Sequence, residues 1–325
     1  MVNTIKTIDN IEVIQESLKG KDFLKIADFQ PGEILYLLEE AQELKKLQKQ
    51  GIPHPFLSGK VLGMLFEKSS TRTRVSFEVG MLQLGGHAIF LSPRDIQLGR
   101  GESISDTAKV LSRYLDALMI RTFSHESIEE FAYHSDAPII NGLTDPHHPV
   151  QVMADLLTIL EHKGKLEGLK LCYVGDGNNN VTHSLIEGAA KVGMHISVAS
   201  PKKYQPNQEI VAKAIEDAKV TGSKISILED PIEAMKDADV VVTDVWTSMG
   251  FEEEAQERIN AFQSYQVNEA LCSYAKSDYI FMHCLPAHRG EEVTAEIIDG
   301  PHSVVFDEAE NRLHAQKAVL KALLS

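Results

Sequence analysis

Short apolar runs recur along the chain and alternate with longer segments whose apolar residues have helical spacing. Such runs are typical of parallel strands that are buried on both faces and joined by crossover helices. The pattern therefore predicts an α/β protein with two parallel sheets of about four to six strands each. The predicted strands are 60–66, 87–91, 117–121 and 138–140 in the first half, and 170–174, 195–199, 224–228, 240–243, 279–282 and 304–306 in the second half.

The length of 325 residues exceeds the usual size of one domain, so we expect two. The apolar residues of 149–164 have helical spacing, which predicts a helix that connects the halves. The C-terminal residues predict an amphipathic helix packed back on the first domain. We expect two doubly wound parallel-sheet domains, one formed by 1–150 with 310–325 and the other by 151–309.

Charge limits the partners of this chain. Its 47 acidic and 32 basic residues give a net charge of −15, so the overall field repels nucleic acid and anionic membranes. An anionic ligand must then meet a local group of basic residues. Because no apolar run reaches the roughly 18 residues of a membrane-spanning helix, we expect neither a membrane nor a nucleic-acid partner.

The cysteines and the N-terminus bear on the compartment. Cys172, Cys272 and Cys284 occur without CxxC spacing, which argues against a disulfide framework and against a zinc knuckle. Residues 1–16 mix charged with apolar residues and lack the continuous apolar core of a secretory signal. Both features predict a cytoplasmic protein.

The segment F-E-K-S-S-T-R-T-R at 66–74 ends a predicted strand and opens a helix. The helix dipole favours acidic residues in the first turn, yet this turn has Arg72 and Arg74 and no acid before Glu78. Backbone N–H groups, hydroxyls and a guanidinium group form the donor set that a phosphate needs. The hydroxyls belong to Ser70, Thr71 and Thr73. A serine-capped helix whose arginines pair with acids elsewhere is the alternative.

A second polar group, D-P-H-H-P-V-Q at 145–151, follows a predicted strand and opens the connecting helix. Ligand crevices of α/β sheets lie at such strand ends. Arg121 also closes a strand, so Arg121, His148 and the Gln151 amide are candidates to meet the same ligand as Arg72. His147 is the less favoured neighbour, and a purely structural histidine is the alternative.

Three turns of the second half carry further polar residues. G-D-G-N-N-N at 175–180 is not a dinucleotide fingerprint, because Asn180 stands where the third glycine belongs, and it offers amides to a small polar ligand. In D-V-W-T-S-M-G at 244–250, Asp244 can bind an ammonium group or cap a turn. In H-C-L-P-A-H-R-G at 283–290, Cys284 is a nucleophile, a metal ligand or a buried apolar residue, and the spacing argues against zinc.

Together these segments resemble the aspartate/ornithine carbamoyltransferase family, and within it the members that act on ornithine. The matching blocks occur in the family's order over nearly the whole chain, and they are F-E-K-S-S-T-R-T-R, D-I-Q-L-G-R-G-E-S, M-I-R-T-F, H-P-V-Q, G-D-G-N-N-N, D-V-W-T-S-M-G, H-C-L-P-A-H-R-G and E-N-R. The resemblance implies carbamoyl transfer from carbamoyl phosphate to the δ-amino group of L-ornithine in arginine metabolism, giving L-citrulline and phosphate. It implies no metal or organic cofactor, a carbamoyl phosphate domain followed by an ornithine domain, and a homotrimer with active sites at subunit contacts.

The resemblance also assigns roles to residues. The expected ligands of the carbamoyl phosphate group are Ser70, Thr71, Arg72, Thr73, Arg121, His148, Gln151, the Leu285 carbonyl, Arg312 and, from the neighbouring subunit, Gln97. The expected ligands of ornithine are Asp244 and Ser248 for its α-amino group, the Asn179/Asn180 turn and the Met249 backbone for its carboxylate, and Cys284 for its δ-amino end. The expected catalytic residues are Arg121, His148, Asp244 and Cys284.

The sequence departs from the family pattern at three places. Ser69 replaces a proline found in many members, Val150 replaces a cysteine, and the asparagine run is one residue longer than in some relatives. Counting back from His183 favours Asn180 as the ornithine ligand. Carbamoyltransferases for aspartate, putrescine or N-acetylated ornithine are the rival enzymes, and a catalytically silent anion-binding protein is the rival from another class. A dinucleotide dehydrogenase is disfavoured by the broken glycine fingerprint.

Overall fold

The computed structural model describes residues 8–92, 94, 96–98, 101–247 and 252–325. The chain forms two compact units, which we call unit 1 (Met1–Ala154 with Asn311–Ser325) and unit 2 (Asp155–Glu310). The boundary at 154/155 falls within the helix Pro149–Lys163, at the place where the sequence predicts a connecting helix. In the part of the chain that the structure describes, every helix is too short or too polar to cross a membrane.

The sheet of unit 1 has four parallel strands in the order β2-β1-β3-β4. These strands are β1 (Val61–Phe66), β2 (His87–Leu91), β3 (Ala117–Arg121) and β4 (Ile139–Leu143). The helices that begin in this unit are α1 (Ile8–Leu18), α2 (Pro31–Lys49), α3 (Thr71–Gln83), α4 (Ile104–Leu111), α5 (His125–His134) and α6 (Pro149–Lys163). Strands β1, β3 and β4 are apolar and buried on both faces, whereas the edge strand β2 is partly exposed.

The sheet of unit 2 has five parallel strands in the order β7-β6-β5-β8-β9. These strands are β5 (Lys170–Val174), β6 (His195–Ala199), β7 (Ile225–Leu228), β8 (Val240–Val242) and β9 (Ile280–Met282). The helices that begin in this unit are α7 (Asn180–Val192), α8 (Gln208–Thr221), α9 (Pro231–Met235), α10 (Ala255–Phe262), α11 (Glu269–Cys272), α12 (Ala295–Ile298) and α13 (Val305–Leu324). Helix α13 continues into unit 1, where its residues from Asn311 onward pack.

Local sequence explains where the main helices begin and end. Ser70 caps α3 by accepting the N–H of Thr73 at 3.2 Å, and Asn179 caps α7 by accepting the N–H of Thr182 at 2.9 Å. Helix α7 ends at Gly193, whose φ of 74° lies in the left-handed region that glycine adopts without a Cβ clash. Both N-terminal caps lie directly after a strand, so each helix start is held at a sheet edge.

The predicted fold class, two parallel-sheet α/β domains, is confirmed, but the predicted strand at 304–306 is wrong. Helix α13 begins at Val305, and a single bridge between Ser303 and Phe281 is the only pairing that this segment makes with β9. The segment is followed directly by acidic residues, which favour a helix start. A three-residue apolar run cannot be distinguished from a first helical turn by its pattern alone.

Parallel strands bring the polar turns of each unit to one edge. The turns after β1, β3 and β4 contain the polar segments of the first half, and those after β5, β8 and β9 contain the segments of the second half. Each sheet grows from its first strand towards one edge and then, from the other side of that strand, towards the opposite edge. This reversal occurs between β1 and β3 in unit 1 and between β5 and β8 in unit 2. Such reversal points are where ligands bind in open α/β sheets.

Candidate active site

Helix α3 begins with a cluster of donors. The Ser70 hydroxyl accepts the Thr73 N–H and donates to the Thr73 Oγ1 at 3.1 Å. The first turn of the helix contains no acidic residue. The backbone N–H groups of this turn therefore face no negative side chain of their own helix, and the dipole favours an anion there.

A buried network follows from Thr73. Its Oγ1 accepts hydrogen bonds from Arg312 Nη2 at 2.7 Å and from Arg121 Nη1 at 3.4 Å. Arg312 Nη1 donates to Gln151 Oε1 at 3.0 Å. All four side chains are at least nine-tenths buried. The structure thus brings together residues from α3, the end of β3, α6 and α13, all of which the sequence proposes for carbamoyl phosphate.

His148 lies within the field of three arginines, which we call the arginine cluster: Arg72, Arg121 and Arg312. Burial is the largest cause that holds the pKa of His148 well below its usual range, and the positive charges of Arg312, Arg121 and Arg72 lower it further. His148 is consequently neutral at physiological pH. It can donate a hydrogen bond without adding charge, while the arginines supply the positive potential that an anionic ligand needs.

The other predicted ligands of unit 1 lie at its surface. Thr71, the first residue of α3, and Gln97, in the loop after β2, are exposed. The Arg74 guanidinium stacks on Phe90 of β2, with its Cζ 3.9 Å from the centre of the ring. Arg74 is therefore directed at the edge strand, whereas Arg72 acts electrostatically on His148.

In unit 2, Asn179 is engaged with neighbouring side chains. Its Nδ2 donates to Tyr173 Oη at 3.1 Å and to Asp244 Oδ2 at 3.4 Å, while its Oδ1 caps α7. Asn180 is the first residue of α7 and is partly exposed. The side chain that caps the helix is therefore Asn179, and Asn180, which the sequence favours as the ornithine ligand, has the more accessible amide.

The buried Asp244 and the partly buried Cys284 form a pair, which we call the thiol–carboxylate pair. The Cys284 Sγ donates to Asp244 Oδ1 at 3.2 Å, and the Val245 N–H donates to the same oxygen at 2.8 Å. Burial is the largest cause of the raised pKa of Asp244. Among the described residues it has hydrogen bonds but no lysine or arginine partner, so a ligand ammonium group would supply the missing positive charge.

The same surroundings keep Cys284 protonated. Burial, followed by the negative charges of Asp244, Glu308 and Asp155, raises the pKa of the thiol well above its usual range. A reactive cysteine needs the opposite, a positive environment that lowers its pKa. Cys284 is therefore a hydrogen-bonding thiol in this structure and is poorly suited to act as a nucleophile.

His283 holds the turn that contains Cys284 and Leu285, and sequence reasoning gave it no role. It is fully buried, and its Nδ1 accepts the Leu285 N–H at 2.9 Å, which requires the proton to lie on Nε2. Nε2 lies 3.2 Å from Glu292 Oε1, and the His283 N–H donates to Glu308 Oε2 at 2.8 Å. Leu285 has a φ of 57°, in the left-handed region. The only sequence signal was the position of His283 beside Cys284.

Arg258 is a second residue that the sequence did not reveal. From α10, its Nη1 donates to Asp176 Oδ2 at 2.6 Å and to the Trp246 carbonyl at 3.1 Å. It thereby links the G-D-G-N-N-N turn to the start of the D-V-W-T-S-M-G segment. Ser248 and Met249, the predicted ornithine ligands of that segment, lie outside the described residues.

Three donor atoms in unit 2 have a spacing compatible with a metal ion. One atom each of Asp244, His283 and Cys284 lies within 4.8 Å of the others. Both ring nitrogens of His283 are already used, however, by Leu285 and Glu292. A metal bound there would have to break one of these bonds.

Comparison with known proteins identifies both units separately. Residues 21–161 match the family model described as the carbamoyl-P binding domain of aspartate/ornithine carbamoyltransferases, and 167–323 match the Asp/Orn binding domain. The ornithine carbamoyltransferase of Anoxybacillus flavithermus is 62% identical over 307 residues, which cover 94% of this chain and 98% of the relative. That of Bacillus subtilis is 62% identical over 312 residues, which cover 96% of each chain.

Solved structures give the same result. The ornithine carbamoyltransferase from Pyrococcus furiosus has a TM-score of 0.92 at 53% identity, and the match covers 94% of this chain and 98% of that one. The anabolic ornithine carbamoyltransferase from Campylobacter jejuni has a TM-score of 0.86 at 45% identity, with coverage of 92% and 97%. These levels of identity over nearly the whole length extend well beyond likeness of fold.

Proposed function

The chain belongs to the aspartate/ornithine carbamoyltransferase family, and on that premise we propose that it transfers the carbamoyl group of carbamoyl phosphate to the δ-amino group of L-ornithine. The products are L-citrulline and phosphate. The observation that carries this proposal is the presence in one chain of an arginine cluster around neutral His148 and a buried carboxylate, Asp244, that lacks a cationic partner among the described residues. The first fits an anionic phosphate and the second an ammonium group.

On the carbamoyl phosphate side, the donors match the charges of the reaction. The phosphate binds at the start of α3, where Ser70, Thr71, Arg72 and Thr73 offer hydroxyls, N–H groups and a guanidinium. Attack on the carbonyl carbon places negative charge on the carbonyl oxygen. Arg121, Thr73 and His148 stabilise that charge, and because His148 is neutral it does so by donating a hydrogen bond.

Gln151 and the Leu285 carbonyl are assigned to the NH2 of the carbamoyl group, and Arg312 completes the set. The Arg312 guanidinium donates to both Thr73 and Gln151. It thereby fixes the position of Gln151, assigned to the NH2 group, relative to Thr73, assigned to the carbonyl oxygen. Preorganised donors stabilise developing charge without reorganising during the reaction.

On the ornithine side, Asp244 binds the α-amino group together with Ser248. The Asn179/Asn180 turn and the Met249 backbone bind the carboxylate, and Cys284 orients the δ-amino end. The thiol stays protonated because its pKa is raised, so the amine itself attacks and no carbamoylated cysteine forms. Alignment of amine and carbonyl can supply roughly 7 to 11 kcal/mol of the barrier reduction.

The choice among rival acceptors rests on two groups of unit 2. A second substrate carboxylate, as in aspartate, would meet the negative charge of Asp244, and N-acetylated ornithine lacks a free α-amino group to pair with it. Putrescine keeps an ammonium group at the same distance from the reacting amine but lacks the carboxylate that we assign to the Asn179/Asn180 turn and the Met249 backbone. Ornithine supplies both groups and is therefore the acceptor that we propose.

The test measures phosphate release and the carbamoylated product formed by purified protein with carbamoyl phosphate and a panel of acceptors: ornithine, whose product is citrulline, and putrescine, N-acetylornithine and aspartate. We expect turnover with ornithine to exceed that with every other acceptor by more than about a hundredfold, since N-acetylornithine leaves the desolvated Asp244 carboxylate unpaired and putrescine leaves the carboxylate-binding groups unpaired. Comparable turnover with N-acetylornithine would reject the assignment of Asp244, and comparable turnover with putrescine would reject that of the Asn179/Asn180 turn.

We further propose a homotrimer in which Gln97 of one subunit reaches the phosphate bound by the next. Exposed apolar residues on α3 and on the neighbouring edge strand β2 support this region as the contact: Val75, Leu82 and Phe90 are between 38% and 70% exposed. Exposed apolar groups of this kind indicate a protein interface. Gln97 lies in the loop after β2, six residues beyond Leu91, and is exposed.

For its setting, we propose arginine biosynthesis in the cytoplasm. Cys172, Cys272 and Cys284 are free thiols, and two of them are buried, which supports a reducing compartment.

A further inference from the structure

Lys68 is a buried cation close to the phosphate-binding turn, and the proposed mechanism gives it no role. It lies two residues before the helix cap Ser70, and only 5% of its side chain is exposed. Its Nζ is 2.5 Å from Asp145 Oδ1 and 4.1 Å from the centre of the Phe123 ring. Lys68 lies in the turn after β1, Phe123 in the turn after β3 and Asp145 in the turn after β4.

Hydrogen bonds from the backbone join the same three turns. The Glu67 N–H donates to the Arg121 carbonyl at 2.9 Å, which ties the turn after β1 to the end of β3. The Asp145 N–H donates to the Phe123 carbonyl at 2.9 Å, which ties the turn after β4 to the same segment. Lys68 is thus the side chain at which the turns after β1, β3 and β4 meet.

These are the turns that carry the carbamoyl phosphate ligands. Arg72 and Thr73 follow Lys68 by four and five residues, Arg121 precedes Phe123 by two, and His148 follows Asp145 by three. We propose that the Lys68–Asp145 ion pair is a positioning pair that fixes the spacing of these ligands, a role that rests on the proposed function. The pair touches no substrate and acts through the turns.

The pairing of buried Lys68 with a carboxylate argues for positioning and against direct attraction of phosphate. The Lys68 charge is balanced at 2.5 Å by Asp145, so the pair adds little net positive charge to the arginine cluster. A buried ammonium without its partner is unfavourable, so removing Asp145 lets the turn rearrange to hydrate Lys68. Displacement of ligands by about 1 Å can cost roughly a hundredfold in catalysis.

The two roles predict opposite results for Asp145→Asn. If Lys68 only positions the turns, the variant binds phosphate more weakly, because the turns lose their common anchor. If Lys68 attracts phosphate by its charge, the variant binds phosphate more tightly, because the cation is released. Asp145 is 48% exposed, so its neutralisation leaves the fold intact and decides between the roles even if Lys68→Met folds poorly.

The experiment measures the affinity for inorganic phosphate by calorimetry and the KM for each substrate in the citrulline assay. The proteins are the wild type, Lys68→Met, Asp145→Asn, the double variant, and Lys60→Met as matched control. Lys60 pairs with Asp116 at 2.9 Å at the opposite end of β1. It therefore tests the loss of a lysine–aspartate pair on the same strand, away from the ligand turns.

We expect Lys68→Met and Asp145→Asn each to weaken phosphate and carbamoyl phosphate by roughly tenfold to a hundredfold, with the KM for ornithine unchanged. The double variant should be no weaker than the worse single variant, because the two residues act as one unit. Lys60→Met should match the wild type. Tighter phosphate binding by Asp145→Asn, or unchanged binding in both single variants, overturns the proposal. A wild-type protein that makes no citrulline refutes the proposed function instead, and phosphate calorimetry still decides the role of Lys68.

Discussion

His148 and Cys284 are both neutral, but different surroundings keep them so. His148 is neutral because burial and three arginines disfavour its protonated form, whereas Cys284 is neutral because burial and three carboxylates disfavour its thiolate. The chemistry that remains to each is hydrogen bonding. Hydrogen bonding is sufficient for direct attack by a free amine, because that reaction forms no covalent intermediate with either residue.

Replacing Cys284 with serine tests whether the thiol is only a positioning group. The serine hydroxyl would keep a small donor beside Asp244, so we expect kcat to fall by less than about a hundredfold and the KM for ornithine to rise. A nucleophilic thiol would instead lose almost all turnover. Steady-state citrulline formation measures both quantities, and mass spectrometry of the wild type checks for a carbamoylated Cys284 during turnover, whose detection would contradict the account.

Single residues also mark the limit of sequence reasoning. Arg72, His148 and Asp244 could be singled out from local features, because Arg72 is a cation at a helix N-terminus and the other two lie in polar segments that follow predicted strands. Lys68 and Arg258 follow no such rule. Their partners Asp145 and Asp176 lie 77 and 82 residues away in the chain, and the pairing exists only once the strands are assembled.

At the scale of elements, most strands were predictable because buried parallel strands are short apolar runs between polar turns. Strands β2, β3, β5 and β6 have the predicted bounds, while β4 extends three residues further, to Leu143. That extension contains Asn141 and Gly142, which interrupt the apolar pattern. The buried Asn141 amide donates to the Leu24 carbonyl, a distant partner that the local sequence cannot indicate.

Helix α13 is held on α3 by a fully buried lysine. Lys317 Nζ donates to Gln83 Oε1 at 2.8 Å and lies 3.2 Å from His54 Nε2, and no carboxylate among the described residues pairs with it. Burial lowers the pKa of Lys317 to about 8. Between pH 8 and the unfolded value of about 10.5 the unfolded chain binds more protons, so the stability of the wild type rises with pH across this window.

Lys317→Met removes this dependence. Relative to the variant, we expect the wild type to gain about 2 to 3 kcal/mol of unfolding free energy between pH 7 and pH 10, because one pKa unit is worth about 1.4 kcal/mol. Urea unfolding at both pH values measures the gain. Lys46→Met on α2, where the side chain is 61% exposed, is the control and should follow the wild type. A wild type and a Lys317→Met protein with parallel pH profiles would show that Lys317 titrates normally.

At the scale of the whole molecule, the trimer proposal predicts that subunits complement each other. Arg72→Ala and Gln97→Ala chains are each expected to be nearly inactive. After dissociation and mixing in equal amounts, about a quarter of the sites should draw both intact residues from different chains, since each is intact with a chance of one half. Citrulline formation by the mixture should therefore exceed the sum of the parents. No gain over the parents, in mixtures shown to contain hybrid trimers, would place Gln97 in a solvated loop.

The central claim is a division of labour, with carbamoyl phosphate bound by the arginine cluster of unit 1 and the ornithine α-amino group bound by Asp244 of unit 2. The most direct measurement is the KM for both substrates in Arg72→Lys and Asp244→Asn, each compared with the wild type. Loss of one charged hydrogen bond of about 1.5 to 3 kcal/mol predicts a KM for carbamoyl phosphate that is roughly tenfold to a hundredfold higher in Arg72→Lys, with ornithine nearly unaffected. The account predicts the reverse pattern in Asp244→Asn, and equal losses for both substrates in either variant would contradict it.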